Sequence, residues 1–365
     1  MFGQTAAITE DAVLGALSQV IDPDLGRDIV TLGMVKDLDV KENRVKFTYE
    51  LTTPACPLKD QMEAMARDAL QALPGVEAVE INMTARVQPT APAGPLLPSV
   101  SNVIAIASGK GGVGKSTVSA NLAIALTQSG ASVGLLDADI YGPSIPGLMG
   151  VRALPKVIED GERKLFKPLE AHGVKLMSIG FLVDQDAPVI WRGPMVHSAV
   201  RQLLGDTQWG DLDYLIVDLP PGTGDAQLTL TQALQLSGAV IVTQPQDVAL
   251  AIAVKALKMF RHLKVHILGI LENMSYFMCD HCGTRHDIFS HGGGQRAAQE
   301  LEVPFLGEVP LAPDIRESSD EGTPVTALNA DSPQAAAFRS VAESLAAQVS
   351  IAASRQRRTI SLRAV

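Results

Sequence analysis

Apolar and polar positions follow different periods on the two sides of a proline-rich stretch, PTAPAGPLLPS at residues 89–99. Ahead of it, TEDAVLGALSQVIDP (9–23) has helical spacing, with Thr9 as cap and acids in the first turn. VTLGMVKDLDVKENRVKFTYEL (30–51) reads as two strands around the polar turn KEN, a hairpin signal. PLKDQMEAMARDALQALPG (57–75) predicts a second helix, opened by Pro57 and closed by Gly75, and VEAVEINM (76–83) a third strand. Residues 1–88 are therefore expected to form a small α+β domain, with 89–99 as a linker that continues neither helix nor central strand.

Beyond the linker, short runs that are apolar on both faces alternate with helical segments. NVIAIAS, SVGLLDAD, VKLMSIG, YLIVDLP, GAVIVTQ, VHILGILEN and VPFLGEV are the expected strands. TVSANLAIALTQSG and DVALAIAVKALKMFRHL are helices between them, and SPQAAAFRSVAESLAAQVSIAASR is a closing helix. Strands without a polar face, separated by helices, predict an α/β domain over 100–350 with a doubly wound, mostly parallel sheet. Ligands of such a sheet lie at the carboxyl ends of its strands. Residues 351–365, with Arg355, Arg357, Arg358 and Arg363, read as a basic tail.

Composition narrows the function classes. A formal net charge of -10 argues against nucleic acid as the main partner, because phosphate neutralisation needs clustered cations. No segment reaches about 18 uninterrupted apolar residues, so stable membrane insertion is not expected. With three cysteines, a disulfide framework is not expected, and a reducing, cytoplasmic setting is.

The sharpest chemistry lies in SGKGGVGKST at 108–117, which follows an expected strand and precedes an expected helix. This is the context of a phosphate-binding loop, in which glycines turn backbone N–H groups onto phosphate oxygens at a helix N-terminus. Gly109, Lys110, Gly111, Gly112, Val113, Gly114, Lys115, Ser116 and Thr117 are the candidate nucleotide contacts. Lys115 is expected to reach the β and γ phosphates and Ser116 to ligate Mg²⁺. Lys110 comes too early in the loop to serve its own phosphates. Its expected role is to meet a nucleotide held by a second copy of the chain, like a finger supplied in trans, which implies a homodimer. Asp218, ending the apolar strand YLIVD, reads as the acid that orders the Mg²⁺ shell. Gly222 to Asp225, in PPGTGD, are placed to sense a γ-phosphate.

With two lysines in one loop, GKGGVGKST resembles the deviant Walker A loop of the family that includes MinD, ParA and the nitrogenase iron protein. DADIYGPSIP, VDLPPGTGD, LENMSYF and a following CxxC resemble its Mrp/ApbC branch, the iron-sulfur cluster carrier P-loop ATPases. TTPACPLKDQM resembles the small domain of iron-sulfur assembly factors often fused to that branch. The resemblance implies that Asp137 and Asp139 form the first switch, with Asp139 activating water and helping to hold Mg²⁺. It implies that Asn273 reads adenine, favouring ATP, and that Cys56 handles a cluster in transit. Apo iron-sulfur proteins and cluster assembly proteins are then the expected partners.

Cys279 and Cys282, in MCDHCG, leave three readings open. Two chains giving two thiolates each supply the four that a [4Fe-4S] cluster needs, on the axis of the dimer that Lys110 also calls for. Cys279, Cys282, His286 and His291 are alternatively a zinc set within one chain. A redox dithiol is the third. The resemblance points to the first reading: a slow ATPase that carries a bridging cluster to apo-proteins. A positioning ATPase of the MinD/ParA kind and an ATP-dependent electron-transfer protein are the rivals. HGGG at 291–294 echoes an oxyanion-hole motif, but the chain has no G-x-S-x-G elbow, and the stretch is expected to be a turn into a helix.

Overall fold

The computed structural model of the chain describes residues 8–90, 94, 96–161, 163–182 and 193–363. The chain divides into two units, one spanning Met1–Gln88 with Ser350–Val365 and the other Pro89–Val349.

The first unit opens with α1 (Glu10–Leu17), where the Thr9 hydroxyl accepts the N–H of Ala12 at 3.2 Å. Two short strands follow, β1 (Ile21–Asp22) and β2 (Arg27–Asp28). The expected hairpin is β3 (Val35–Lys41) and β4 (Arg44–Leu51); α2 (Lys59–Gln71) then returns the chain to β5 (Ala78–Ala85), parallel to β4. The inward side of β4 presents Val45, Phe47, Tyr49 and Leu51, at strand period. Met62, Ala66 and Leu70 of α2 recur every four residues and bury in the same core.

The second unit runs β6 (Val100–Ser108), α3 (Lys115–Gln128), β7 (Val133–Asp137) and α4 (Ile145–Leu148). Three strands lead to the next parallel one: β8 (Lys156–Asp160), β9 (Arg163–Lys167), β10 (Leu169–Ala171), then β11 (Val174–Ser178). After a 3₁₀ turn come α5 (Gly193–Gly205), β12 (Leu212–Asp218), α6 (Asp225–Ala233), β13 (Gly238–Thr243), α7 (Asp247–His262) and β14 (Ile267–Glu272). The chain closes with β15 (Phe277–Met278), β16 (Arg285–His286), α8 (Gly293–Glu300), β17 (Phe305–Glu308), α9 (Pro313–Asp320), α10 (Val325–Leu328) and α11 (Pro333–Arg363).

Eight strands form one sheet in the order β10-β11-β7-β12-β6-β13-β14-β17, parallel throughout except for the edge pair β10-β11. Every residue of β7, β13 and β14 is buried, so both faces of the sheet are covered and the expected α/β architecture holds. Register brings the strand ends together: Asp218 pairs with Asp137, Asp137 with Ser178, and Glu272 with Glu308.

Two segments differ from the sequence expectation. Residues 156–167, left unassigned, form the β8-β9 hairpin around Asp160-Gly161, a turn dipeptide with Gly161 at φ +63°. Over 351–363, within the stretch expected as a basic tail, α11 continues to Arg363, and Ser350–Arg363 contains neither Gly nor Pro to stop it. Among the described residues no helix is long and apolar enough to cross a membrane.

Ile104 sits at the sheet centre, fully buried, between Ile216 of β12 and Gly238 of β13. Ile104→Ala is expected to destabilise the unit by about 2–5 kcal/mol, read as a lower urea midpoint.

Candidate functional site

The loop between β6 and α3 owes its shape to two left-handed glycines and to braces behind it. Gly112 and Gly114 have φ of +78° and +80°, where a side chain is strained. Its carbonyls are held from outside: Asn273 Nδ2 donates to Val113 O at 2.8 Å, Gln244 Nε2 to Gly112 O at 3.3 Å, and Ser108 Oγ to Lys110 O at 3.0 Å. The N–H groups of Gly111, Gly112, Val113 and Gly114 have no hydrogen-bond partner among the described residues. A loop whose acceptors are occupied and whose donors are available, at the N-terminus of a helix, is an anion cradle. Gly109 answers to another demand: a Cβ there would lie 2.5 Å from the backbone carbonyl carbon of Ile252 in α7.

Lys115, Ser116 and Thr117 form the first turn of α3. Lys115 is only 6% exposed, and its ammonium meets Asp218 Oδ2 at 2.7 Å and Asp139 Oδ2 at 3.6 Å. Asp218, at the end of β12, also accepts from Ser116 Oγ (Oδ2, 2.6 Å) and from Ser119 Oγ (Oδ1, 2.6 Å). Asp137, ending β7, accepts from Ser178 Oγ at 2.9 Å and from the N–H groups of Ile145 and Asp139, both at 3.2 Å. Burial, then the neighbouring Asp218, pushes the Asp137 carboxyl up to about 7. Asp139 is raised too, by burial against the opposing pull of Lys115. One ammonium thus faces three carboxylates. Hard oxygen donors in that number fit Mg²⁺, with Ser116, Asp139 and Asp218 as the residues able to hold it.

Of the other candidates, Lys110 has no side-chain partner among the described residues, and its carbonyl accepts from Ser108 Oγ. Asn273, one residue past β14, is buried behind the loop, and its amide braces Val113. Gly222 donates its N–H to Ser108 O at 2.9 Å, tying the expected γ-phosphate sensor to the end of β6. Cys56 is half-buried against the core of the first unit, three residues before α2.

Cys279 and Cys282 occupy the tip of the β15-β16 hairpin. The Cys279 N–H bonds Thr284 O at 3.0 Å and the Gly283 N–H bonds Cys279 O at 2.8 Å, a tight turn that brings the two thiols within hydrogen-bonding reach of each other. Cys282 is exposed and its thiol lies 3.2 Å from Thr284 Oγ1. Hydrogen bonds from Thr284, side chain and backbone, and from Cys279 lower its pKa toward the thiolate. The zinc set is not assembled. His286 is a rung of the ladder opposite Phe277, and His291 lies 3.3 Å from Glu308. Among the described residues the group close enough to share an ion is Glu272, His291 and Glu308, without the cysteines.

Sequence reasoning missed Ser119, Ser178, Gln244 and the Glu272–Glu308 pair. A serine within a helix, such as Ser119, and polar residues at strand ends carry no motif; Ser178 and the Glu272–Glu308 pair are placed by the parallel register alone. HGGG is the turn into α8, as expected, and the Gly292 and Gly294 N–H groups hold Glu272.

Comparison with known proteins agrees with this geometry. The model of the NUBPL iron-transfer P-loop NTPases matches residues 99–346, and that of iron-sulfur cluster assembly proteins matches residues 10–83. The chain is 49% identical over 350 residues to the iron-sulfur cluster carrier protein of Synechocystis, covering 95% of this chain and 99% of that one. A nucleotide-binding protein from Archaeoglobus fulgidus, solved in complex with ADP, is 42% identical with a TM-score of 0.55, covering 62% of this chain and 88% of its own. MinD of Pyrococcus horikoshii, complexed with Mg-ADP, has a TM-score of 0.51 at 24% identity, over 66% of this chain and 94% of its own, which shows a shared fold.

Two outcomes test the site. A Cβ on Gly114 would lie 2.3 Å from Asn273 Nδ2 at a positive φ, so Gly114→Ala is expected to destabilise the loop by about 1–3 kcal/mol and to weaken Mg-ATP binding in a fluorescent-nucleotide titration. Because Asp137 titrates near 7 folded and near 3.8 unfolded, the stability it adds is full below about pH 4 and is lost as pH rises through 7. Urea midpoints of the parent should therefore fall between about pH 4 and 7 more steeply than those of Asp137→Asn, and run parallel to them above about pH 8.

Proposed function

We propose, for a chain that belongs to the NUBPL family of iron-transfer P-loop NTPases, that two copies carry a bridging [4Fe-4S] cluster on Cys279 and Cys282 of each chain and deliver it to apo iron-sulfur proteins. The observation that carries this reading is the placement of the CxxC. It sits exposed on a short hairpin that begins four residues after Asn273, the residue that braces the phosphate loop. Each tip offers two thiols, and two tips together supply the four thiolates that complete such a cluster. The cluster is cargo. Its exposure and the lowered Cys282 thiol suit ligands that must let go. Thiols kept for cluster binding must stay reduced, and a reducing, cytoplasmic setting suits that need. The 42% identical relative binds ADP, supporting an adenine nucleotide as the ligand of the loop.

ATP turnover follows from the same residues. The free N–H groups of Gly111 to Gly114 and the Lys115 ammonium take the phosphates, Lys115 leaving Asp218 to do so. Mg²⁺, when bound, neutralises charge on the phosphate oxygens. Asp139, its carboxyl raised by burial and no longer faced by Lys115, is suited to accept a proton from the attacking water. Lys110 of one chain then meets the phosphates of the other. Hydrolysis is slow, and it times cluster loading or release.

Anaerobic reconstitution with iron and sulfide is expected to give about four irons per two chains. Cys282→Ser should lose them while binding Mg-ATP as the parent does; equal iron in the two proteins would overturn the bridging reading. For the dimer, Lys110→Ala and Lys115→Ala should each lower ATP turnover by at least about 10-fold. Mixing them should restore part of it, since the Lys115→Ala chain supplies Lys110 to its partner's intact loop. No recovery on mixing means that Lys110 does not act in trans.

A further inference from the structure

The cysteine hairpin has only two rungs, Phe277 with His286 and Met278 with Arg285. A ribbon this short does not fix its own position in water, so its orientation must come from side-chain anchors. One is visible. The Arg285 guanidinium lies 4.1 Å over the ring of Tyr276 and reaches Glu308 at 3.3 Å (Nη1 to Oε1) and 3.5 Å (Nη2 to Oε2). Its Nε donates to Asp287 at 3.1 Å and its Nη2 to His291 Nδ1 at 2.8 Å.

Glu308 is in register with Glu272, which is fully buried, so two carboxylates end adjacent strands side by side. The Ser275 hydroxyl lies between them, 2.6 Å from Glu272 Oε1 and 2.7 Å from Glu308 Oε2. One hydroxyl proton cannot satisfy both. Glu272 is also held by the N–H groups of Gly292 and Gly294, whereas Glu308 meets Arg285, a cation delivered by the hairpin itself, with His291 beside it. The same few residues face the nucleotide loop: Asn273 holds Val113 O, and Met274 Sδ accepts from Gln244, whose Nε2 also holds Gly112 O. Residues 272 to 276 thus alternate between bracing the phosphate loop and seating the hairpin.

We propose that Arg285 is the positioning residue of the thiols, clamping the hairpin to the ends of β14 and β17 through Glu308, and that this clamp is the element through which nucleotide on the loop changes the exposure of Cys279 and Cys282. The inference deepens the carrier reading and takes its purpose from it. A phosphate that draws the loop inward moves Val113, and with it the strand end that Asn273 shares with Glu272 and Ser275. Weakening the Arg285–Glu308 contact removes the ion pair that ties the second strand of the ribbon to the end of β17.

The test uses the full-length chain without iron, in a Cys56→Ser background, and follows iodoacetamide alkylation of Cys282 by mass spectrometry. Mg-ATP is expected to change the rate by at least about 5-fold, the lower end of ordinary site-to-site coupling. In Arg285→Gln and in Glu308→Gln the rate without nucleotide should rise and the nucleotide effect should disappear, while Mg-ATP still binds, its affinity shifted by no more than about the same factor because the coupling is reciprocal. The double variant should add nothing to either single one. A parent that does not respond to nucleotide, or variants that respond as the parent does, would overturn the clamp. If the alkylation response is present but reconstitution yields no bridging cluster, the carrier reading falls and the clamp stands.

Discussion

A single buried ammonium, that of Lys115, faces three carboxylates gathered by parallel register, and the arrangement of the whole site follows from that imbalance. β7 and β12 end in step, so Asp137 and Asp218 emerge side by side, and α3 starts where its first side chain falls between them. Burial makes the negative excess costly, which is why Asp137 is pushed toward neutrality while Lys115 is drawn onto Asp218. On the proposed function, phosphates claim the lysine and a divalent cation joins the acids, which offsets that excess. Nucleotide and metal are in this sense completions of the fold's own electrostatics.

The outer side of the loop obeys a complementary constraint. Its carbonyls are tied to Asn273, Gln244 and Ser108, which stand on three different strand ends. With acceptors anchored there, the peptide units present their N–H groups to the other side. Specificity for an anion is thus set from behind the loop, by side chains that need never touch the ligand.

Much of this was legible in the sequence because it depends on local pattern. Uninterrupted apolar runs marked the buried strands, and the glycine-lysine loop between a strand and a helix marked the cradle. Asp218 was readable as the polar end of YLIVD. What escaped depends on pairing between distant segments. Glu272 and Glu308 lie 36 positions apart and each looks like an ordinary strand-ending acid; only their register makes them neighbours. Asn273 was read for its resemblance to a base-reading residue, whereas the structure shows its amide on a loop carbonyl, a contact with no sequence signature. The β8-β9 hairpin did carry a local signal in Asp160-Gly161, and the long C-terminal helix showed itself in the missing breaker after residue 350.

Gly109 illustrates how a motif can join two unlike requirements under one spelling. Gly112 and Gly114 answer to backbone conformation, but the first glycine of the loop is small because α7 passes against it at Ile252. An alanine scan would score all three as ligand residues, and at Gly109 it would be measuring a collision between a loop and a helix. That near contact also sets the cradle directly against α7, so a substitution at Ile252 or a shift of that helix would be felt first at the entry to the loop.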